Sequence, residues 1–300
     1  MKIAITGASG LVGSALTDHL RQAGHTVTRL VRSRDAAAAE DALYWRPAAG
    51  EIDAEGLAGH DAVINLAGEN IFGVWTEPKK RRIRDSRVKG TTLLAETLAG
   101  LDDTRRPATL VNASGIGYYG DRPADKPLPE EAPPGESFMA RVVQDWEAAT
   151  RPAADAGVRV VMTRFGPVLD PDGLLLQGMT AATRLGLGAA LGSGDQPFPW
   201  TTRHEIARVM AFLLERPDVA GPVNVVGPEK VTNEEFADAV ARVLHRPRLL
   251  KIPSFAVRLL GDLGDELLRG AWVVPAKLEF AGYEWQDPTL EAALRRTMGR

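Results

Sequence analysis

Three groups of residues have the types and spacing to do chemistry. The first is Gly7-Ala8-Ser9-Gly10-Leu11-Val12-Gly13, a G-x-x-G-x-x-G loop. Gly7 permits a sharp turn out of a strand. Gly10 leaves bare backbone for a phosphate to approach, and Gly13 lets a helix pack closely on the strand. A helix N-terminus adds unpaired N–H groups and about half a positive charge, which suits a pyrophosphate. Ser9 and Leu11 lie inside the loop and count among its expected contacts. The second group is Arg32-Ser33-Arg34, directly after Val31. An acidic residue here would bind a ribose 2′-hydroxyl and favour NAD, whereas a guanidinium and a hydroxyl suit a 2′-phosphate and favour NADP. The third is Ser114 with Tyr118 and Tyr119, a hydroxyl and two phenols at the carboxyl end of a strand, where open α/β sheets build their sites. A phenol with its pKa near 10 is a poor base at neutral pH unless something lowers it.

The surrounding pattern must position these groups. Lys2 to Thr6 reads as a short strand, followed by the glycine loop and a helix with Leu16 and Leu20 on one face. Three glycines alone would serve a plain tight turn; the strand before and the helix after point to a ligand. Gly24-His25 turns the chain into a second strand, Thr26 to Val31. Tyr44-Trp45 marks a short strand and Asp53 to Leu57 a short helix. Asp61 to Gly68 is a buried strand whose small terminal residues let a ligand lie against Leu66 and Ala67. Glu77-Pro78 opens a helix. On it Ile83, Arg87, Gly90, Leu94 and Leu98 share a face, and an arginine among apolar residues needs an anionic or polar partner. That partner is a buried carboxylate or carbonyl, or else a cofactor or substrate.

Thr109 to Ser114 is a further buried strand, residues 121–137 a Pro-, Asp- and Glu-rich loop, and Phe138 to Ala154 a helix with Phe138, Val142, Trp146 and Ala149 on one face. Val158 to Thr163 is the next strand. Residues 171–200 read as a helix and loops of a substrate lid. Glu205 to Glu215 and Val223 to Val226 return to the main domain, and Thr232 with Glu235 forms a capping box.

With 300 residues the chain suffices for one large α/β domain or a domain with a smaller lobe. The net charge of −3 provides no basic field for nucleic acid or membrane. Lys79-Lys80-Arg81-Arg82 is short and lacks interleaved aromatics, so it reads as a solvated helix face. No cysteine is present, which excludes disulfides, thiolate nucleophiles and Cys-ligated metals. His204 and Glu205 are adjacent and point apart, so no metal site is expected. No apolar run approaches the roughly 20 residues of a membrane span. The chain opens into a strand without a signal-peptide pattern, and a cytoplasmic protein is expected.

These residues resemble the extended short-chain dehydrogenase/reductases, and within them the atypical "epimerase family" branch, which is NAD-dependent epimerase/dehydratase-like and carries a C-terminal domain of unknown function. The resemblance covers nearly the whole chain. It rests on Thr6-Gly7-x-x-Gly10-x-x-Gly13, Val63 to Asn70, Ser86-Arg87, Gly117-Tyr118-Tyr119-Gly120, Arg184 to Gly188, Gly192-Ser193-Gly194 with Trp200, Thr232-Asn233-x-Glu235-Phe236, Pro275-x-Lys277-Leu278 and Ala281-Gly282-Tyr283. It implies an α/β fold: a Rossmann-type doubly wound parallel sheet over residues 1–170, joined by 205–228, with a smaller C-terminal α/β substrate lobe from 171–204 and 229–300. It implies that Gly7, Gly10 and Gly13 hold the pyrophosphate of NADP(H), Val31 and Arg32 its adenosine end, that Leu66 and Ala67 line it, that Arg87 contacts it, and that Val168 lies near the nicotinamide.

The family's chemistry uses a Ser or Thr with a Tyr-x-x-x-Lys pair one helical turn apart. This chain lacks that pair: Phe138 and Val142 stand in its place, and Arg141 stays charged and cannot relay a proton. Ser114, Tyr118 and Tyr119 remain as candidate catalytic groups. Alignment on Tyr119-Gly120 puts Gly115, one residue beyond Ser114, at the usual hydroxyl position. The expected activity is reductase, dehydratase or epimerase chemistry on a small carbonyl or hydroxyl substrate, a nucleotide-sugar among them by analogy. The alternative is an NADP(H)-binding regulatory or scaffolding protein without catalysis. A homodimer is left open.

Overall fold

Strands buried on both sides wind into one large sheet. In the computed structural model, residues 1–122, 126–186, 188–248 and 250–299 are described; residues 123–125 of the expected acidic loop and Leu187 of the Arg184 to Gly188 motif lie outside them. The first half holds β1 (Lys2–Thr6), α1 (Leu11–Gln22), β2 (Thr26–Val31), β3 (Ala42–Arg46), β4 (Glu51–Ile52), α2 (Ala54–Leu57), β5 (Ala62–Asn65), α3 (Glu77–Gly100) and β6 (Thr109–Gly115). A 3-10 turn at Ile116–Tyr119 leads to α4 (Phe138–Ala148), α5 (Arg151–Asp155), β7 (Arg159–Phe165) and β8 (Val168–Leu169). Next come α6 (Leu174–Arg184), β9 (Ala189–Leu191), β10 (Thr201–Thr202), α7 (Arg203–Leu214) and β11 (Gly221–Val225). The chain finishes with α8 (Asn233–Leu244), β12 (Leu250–Ile252), α9 (Ser254–Val257), α10 (Asp262–Leu268), α11 (Ala276–Phe280) and α12 (Leu290–Thr297).

Eight strands form the sheet in the order β11-β7-β6-β5-β1-β2-β3-β4. Only β3 and β4 pair antiparallel. The chain winds outward from β1 through β2 and β3, then crosses to the other side through β5, β6 and β7. The switch of direction therefore lies between β1 and β5, where doubly wound sheets open a crevice at their carboxyl ends. Alternate residues face opposite layers. Ile3, Ile5, Ile64 and Val111 pack with Leu16 and Leu20 of α1 and Ile206, Met210 and Leu213 of α7. Ala4, Val63 and Leu110 pack with Leu94 and Leu98 of α3 and Ala153 of α5. Double burial is why these strands read as continuous apolar runs. Each such Ile or Leu contributes about 1.5–3 kcal/mol on burial.

The expected single helix over Phe138 to Ala154 is two helices. Pro152 sits in the first turn of α5, where its missing N–H is harmless; inside a continuous helix it would clash with the carbonyl four residues back. A separate cluster joins Leu176 of α6, Phe236 and Val240 of α8 and Leu290 and Leu294 of α12 around Trp200 and Leu169. The tail divides its packing: Leu278, Ala281 and Tyr283 bury in the α1–α7 layer of the main sheet rather than in this cluster. Two short parallel pairs, β8 with β10 and β9 with β12, lie outside the main sheet.

Candidate active site

The glycine loop is built for close approach. Gly7 has a φ of +68°, and a Cβ there would lie 2.9 Å from the Leu66 carbonyl carbon. A Cβ on Gly13 would lie 2.1 Å from the Gly7 oxygen, so α1 can sit this close to the loop only with glycine at that position. Gly10 differs: its Cβ would meet only the Gly7 oxygen, at 3.2 Å, so its free face is open to a ligand. The loop is closed by Gly10 N–H donating to the Gly7 carbonyl at 2.9 Å. No side chain caps α1, and its first turn carries no acidic residue. The start of the helix thus keeps its positive end available to an anion. Ser9 is exposed beside Gly10, and Leu11 is half-buried.

A polar layer fixes the strand ends beneath this loop. Thr6, Asn65 and Asn112 stand side by side in register on β1, β5 and β6. Thr6 Oγ1 donates to Asn65 Oδ1 at 2.6 Å and accepts from Leu66 N–H at 3.0 Å and Ala67 N–H at 3.2 Å. Asn65 Nδ2 donates to Asn112 Oδ1 at 2.7 Å and to Thr91 Oγ1 at 2.9 Å. Trp146 Nε1 donates to Thr91 from α4. Buried polar groups satisfied this completely hold a single geometry, and this one sets the path of Leu66 and Ala67 past Gly7. Sequence reasoning gave these residues no role; the signal was a Thr and two Asn inside otherwise apolar strands.

At the end of β2, three arginines divide their tasks. Arg29 is paired with Asp41 at 2.6 Å. Arg34 is paired with Glu51 at 2.9 Å and lies 4.2 Å over the Tyr44 ring. Arg32 is exposed and makes no ion pair among the described residues. Ser33 Oγ accepts from Ala36 N–H, and Val31 is half-buried at the strand end.

Two arginines behind the site contrast sharply. Arg164 is buried, but Glu147 accepts from its Nε and Nη2, both at 2.8 Å. Burial opposes the Arg164 cation, and the bonds to Glu147 and Tyr119 outweigh it and hold its pKa above the ordinary value. Arg87 makes no ion pair among the described residues. Its Nη1 donates to the carbonyls of Glu69 and Ile83, both at 3.0 Å, its guanidinium lies 5.1 Å over Trp146, and its buried Nε has no partner. Burial lowers its pKa to about 10, only partly opposed by Glu69. A desolvated cation lacking a carboxylate is a place for an anionic or polar ligand group.

The three candidate proton carriers are arranged around Arg164. Ser114 Oγ donates to Glu147 Oε1 at 2.6 Å. Tyr119 is fully buried; its hydroxyl donates to Asn224 Oδ1 and accepts from Arg164 Nη1, each at 2.8 Å. Burial raises the Tyr119 pKa to about 12 despite Arg164. Both hydroxyls are therefore engaged inside the protein, by Glu147 and by Asn224 and Arg164. Tyr118 differs: its half-buried ring packs 3.5 Å beneath the Arg164 guanidinium, and its hydroxyl makes no hydrogen bond among the described residues. Sequence reasoning missed Glu147 and Arg164 as organisers because they meet only across α4 and β7. Phe138 and Val142 pack with Trp75, Ile83 and Leu263, leaving no polar side chain at those two helix positions. Val168 is half-buried in β8 and packs against the α1–α7 layer.

Among the described residues, no group of three or more His, Asp or Glu is placed to hold a metal ion, and no helix is long and apolar enough to cross a membrane. The Lys79–Arg82 run is used in part at the surface: Lys79 pairs with Glu69 at 2.8 Å, and Lys80 with Asp262.

The profile of the NAD dependent epimerase/dehydratase family matches residues 3–227, and a domain of unknown function matches residues 252–297. An epimerase family protein of Mycobacterium tuberculosis is 44% identical over 295 residues, 97% of this chain and 96% of its own. The crystal structure of human epimerase family protein SDR39U1 (isoform 2) with NADPH superposes with a TM-score of 0.89 at 32% identity, covering 100% of both chains. A UDP-N-acetylglucosamine 4-epimerase from Bacillus cereus aligns with a TM-score of 0.78 over 99% of this chain and 98% of its own, and at 16% identity it speaks for the fold alone.

Proposed function

This chain belongs to the NAD dependent epimerase/dehydratase family of extended short-chain dehydrogenase/reductases, and on that premise we propose that it binds NADP(H) and acts on a small carbonyl or hydroxyl substrate. The observation that carries the cofactor reading is Arg32. It is the arginine at the end of β2 left without a carboxylate, beside the loop that would receive the pyrophosphate. Gly7, Ser9, Gly10, Leu11 and Gly13 would hold that pyrophosphate at the start of α1. Val31, Arg32 and Ser33 would hold the adenosine end, Leu66 and Ala67 would line the cofactor, Arg87 would contact it, and Val168 would lie near the nicotinamide. The orphaned Arg87 Nε and the uncapped helix suit an anionic ligand of this kind.

When bound, such a cofactor supplies or accepts hydride. The chain's own residues exclude water and position the substrate. In this reading Ser114 and Tyr119 stiffen the Arg164–Glu147 pair below the site, and Tyr118 is the member of the trio left to meet a substrate oxygen. A small nucleotide-sugar is one substrate of this chemistry, and a cytoplasmic location is part of the same reading. The test is fluorescence titration with NADPH and NADH, followed by turnover of aldehydes, ketones and nucleotide-sugars with NADPH. Equal affinity for the two cofactors would remove the NADP(H) assignment.

A second reading has its own observation. Phe138 and Val142 are packed in an apolar cluster where the family's proton-transfer pair would stand. A chain that saturates with NADPH, turns over no carbonyl or sugar substrate, and changes partner binding with cofactor load would be a regulatory or scaffolding protein.

A further inference from the structure

A carboxyl group from the C-terminal lobe reaches the end of the sheet where the family's proton donor is missing. Helix α10 packs Leu263 and Leu267 against Met139 and Val142 of α4 and against Trp75 and Ile83. This is the same helical turn of α4 that lacks a phenol and an amine. Glu266 on α10 sets its carboxylate beside Gly117. Its Oε1 lies 3.8 Å from where a Cβ on Gly117 would be, and the Met139 Cβ lies 3.4 Å from the same point. Gly117 sits two residues beyond Gly115, the carboxyl-terminal residue of β6, and precedes Tyr118. With no side chain at 117, the space above the strand end is left to Glu266.

The placement is held from both sides. The Arg122 N–H donates to the Gly270 carbonyl at 3.1 Å, and the Gly270 N–H donates to Asp121 Oδ1 at 3.3 Å. These bonds clamp the end of α10 to the loop that follows Tyr119. A Cβ on Gly192 would lie 2.9 Å from Leu268, so the neighbouring β9 loop packs on the helix as well. Glu266 keeps 23% of its side chain exposed, and among the described residues its one ion pair is with Arg269, at 3.2 Å. Phe138, Met139 and Val142 bring no charge to it from α4. Among the described residues, the charged groups acting on it are Arg269 on its own segment and Asp121 from the facing loop.

We propose that Glu266 is the proton-transfer group of this chain, delivered by the C-terminal lobe in place of the missing tyrosine–lysine pair. The inference rests on the NADP(H) reading above and goes beyond it. When bound, a reduced nicotinamide would supply hydride to a substrate's carbonyl carbon, and the C=O π electrons would pass to the oxygen. That oxygen takes the proton of the Glu266 carboxylic acid, giving an alcohol, and the carboxylate left behind faces Arg269. Solvent returns the proton through the exposed part of the side chain. The oxidation of an alcohol runs the same proton path backwards. Burial raises the pKa of Glu266, with Asp121 adding to the rise and Arg269 opposing it, so a larger share of the acid form survives toward neutral pH than for a surface glutamate.

Carboxyl-carbon NMR of the full chain with ¹³C-labelled glutamate tests this without a substrate. Glu266→Gln identifies the Glu266 resonance by its loss, and thermal melting checks that the variant folds. The expected result is a titration midpoint above the ordinary glutamate range in the free protein and a shift in that midpoint on saturation with NADP⁺. An ordinary midpoint, or a midpoint that ignores NADP⁺ while NADPH fluorescence shows saturable binding, overturns the inference and leaves the cofactor reading intact. Absence of NADPH binding overturns both. For any carbonyl substrate reduced by the wild type, Glu266→Gln is expected to lower kcat about 10²–10⁴-fold, the range for removal of a general acid. Its NADPH affinity should change by no more than the factor set by the cofactor-induced shift of the Glu266 midpoint, and Glu266→Asp should keep part of the rate. A kcat within threefold of wild type in Glu266→Gln, with loss in Tyr118→Phe instead, would return the role to Tyr118.

Discussion

Replacing Arg32 is the sharpest probe of the proposed NADP(H) preference. The side chain is exposed and makes no ion pair among the described residues, so its removal leaves no carboxylate unpaired. Arg29 and Arg34 are already committed to Asp41 and Glu51 and cannot take over without breaking those pairs. Two unit charges about 4 Å apart in water interact by about 1 kcal/mol. A phosphate monoester carries about −1.5 to −2 at neutral pH, so the contact is worth about 2 kcal/mol. At 1.4 kcal/mol per tenfold, Arg32→Ala should weaken NADPH binding about 30-fold and leave NADH within about twofold. Arg32→Glu replaces attraction with repulsion of similar size, so the NADPH:NADH affinity ratio should fall at least 100-fold from its wild-type value. Raising salt from about 0.15 M to 1 M shortens the screening length from about 8 Å to 3 Å, and should erode wild-type NADPH binding more than that of Arg32→Ala. Fluorescence titration of both cofactors against the three proteins at both salt concentrations measures all of this. A ratio in Arg32→Glu within threefold of wild type would refute the argument, because no other free cation stands at the end of β2 among the described residues.

The remaining expectations concern the scaffold. Gly13→Ala places a methyl 2.1 Å from the Gly7 oxygen; α1 must move, and NADPH and NADH affinity should fall together, unlike in the Arg32 series. Glu147→Gln strips the buried Arg164 of its carboxylate and should cost about 3–5 kcal/mol in urea unfolding, while a paired replacement, Glu147→Leu with Arg164→Met, should cost less. Tyr119→Phe tests linkage. The folded pKa of about 12 lies above the ordinary 10, so the stabilisation is whole below pH 10 and is lost as pH rises toward 12. The loss of about 2–3 kcal/mol across that window should vanish in the variant, leaving the decline due to Tyr283, whose phenol burial and Glu205 also hold above its ordinary value. Identical alkaline unfolding curves for wild type and Tyr119→Phe would count against a buried, engaged phenol.

The strand–loop–helix unit and the two-layer burial were legible in the sequence because each depends on local rules, and the proposed cofactor preference is read from equally local residues. A doubly buried strand is an unbroken apolar run, a close helix–strand approach demands glycine, and Arg32-Ser33 follows its strand directly. Pro152 also carried its meaning locally, though the reading of one long helix passed over it. The partners of Arg164 were not legible: Glu147 and Tyr119 reach it from 17 and 45 residues away, and only packing of α4 on β7 decides that Ser114 and Tyr119 turn inward. Nor does the sequence separate Arg32 from Arg34, since the difference lies in Glu51 on another strand. Glu266 stands 149 residues beyond Gly117 and gave no signal in the sequence. Spacing along a chain reports what neighbours on one element share; a carboxyl group brought to a strand end from another lobe exists only once the two surfaces have packed.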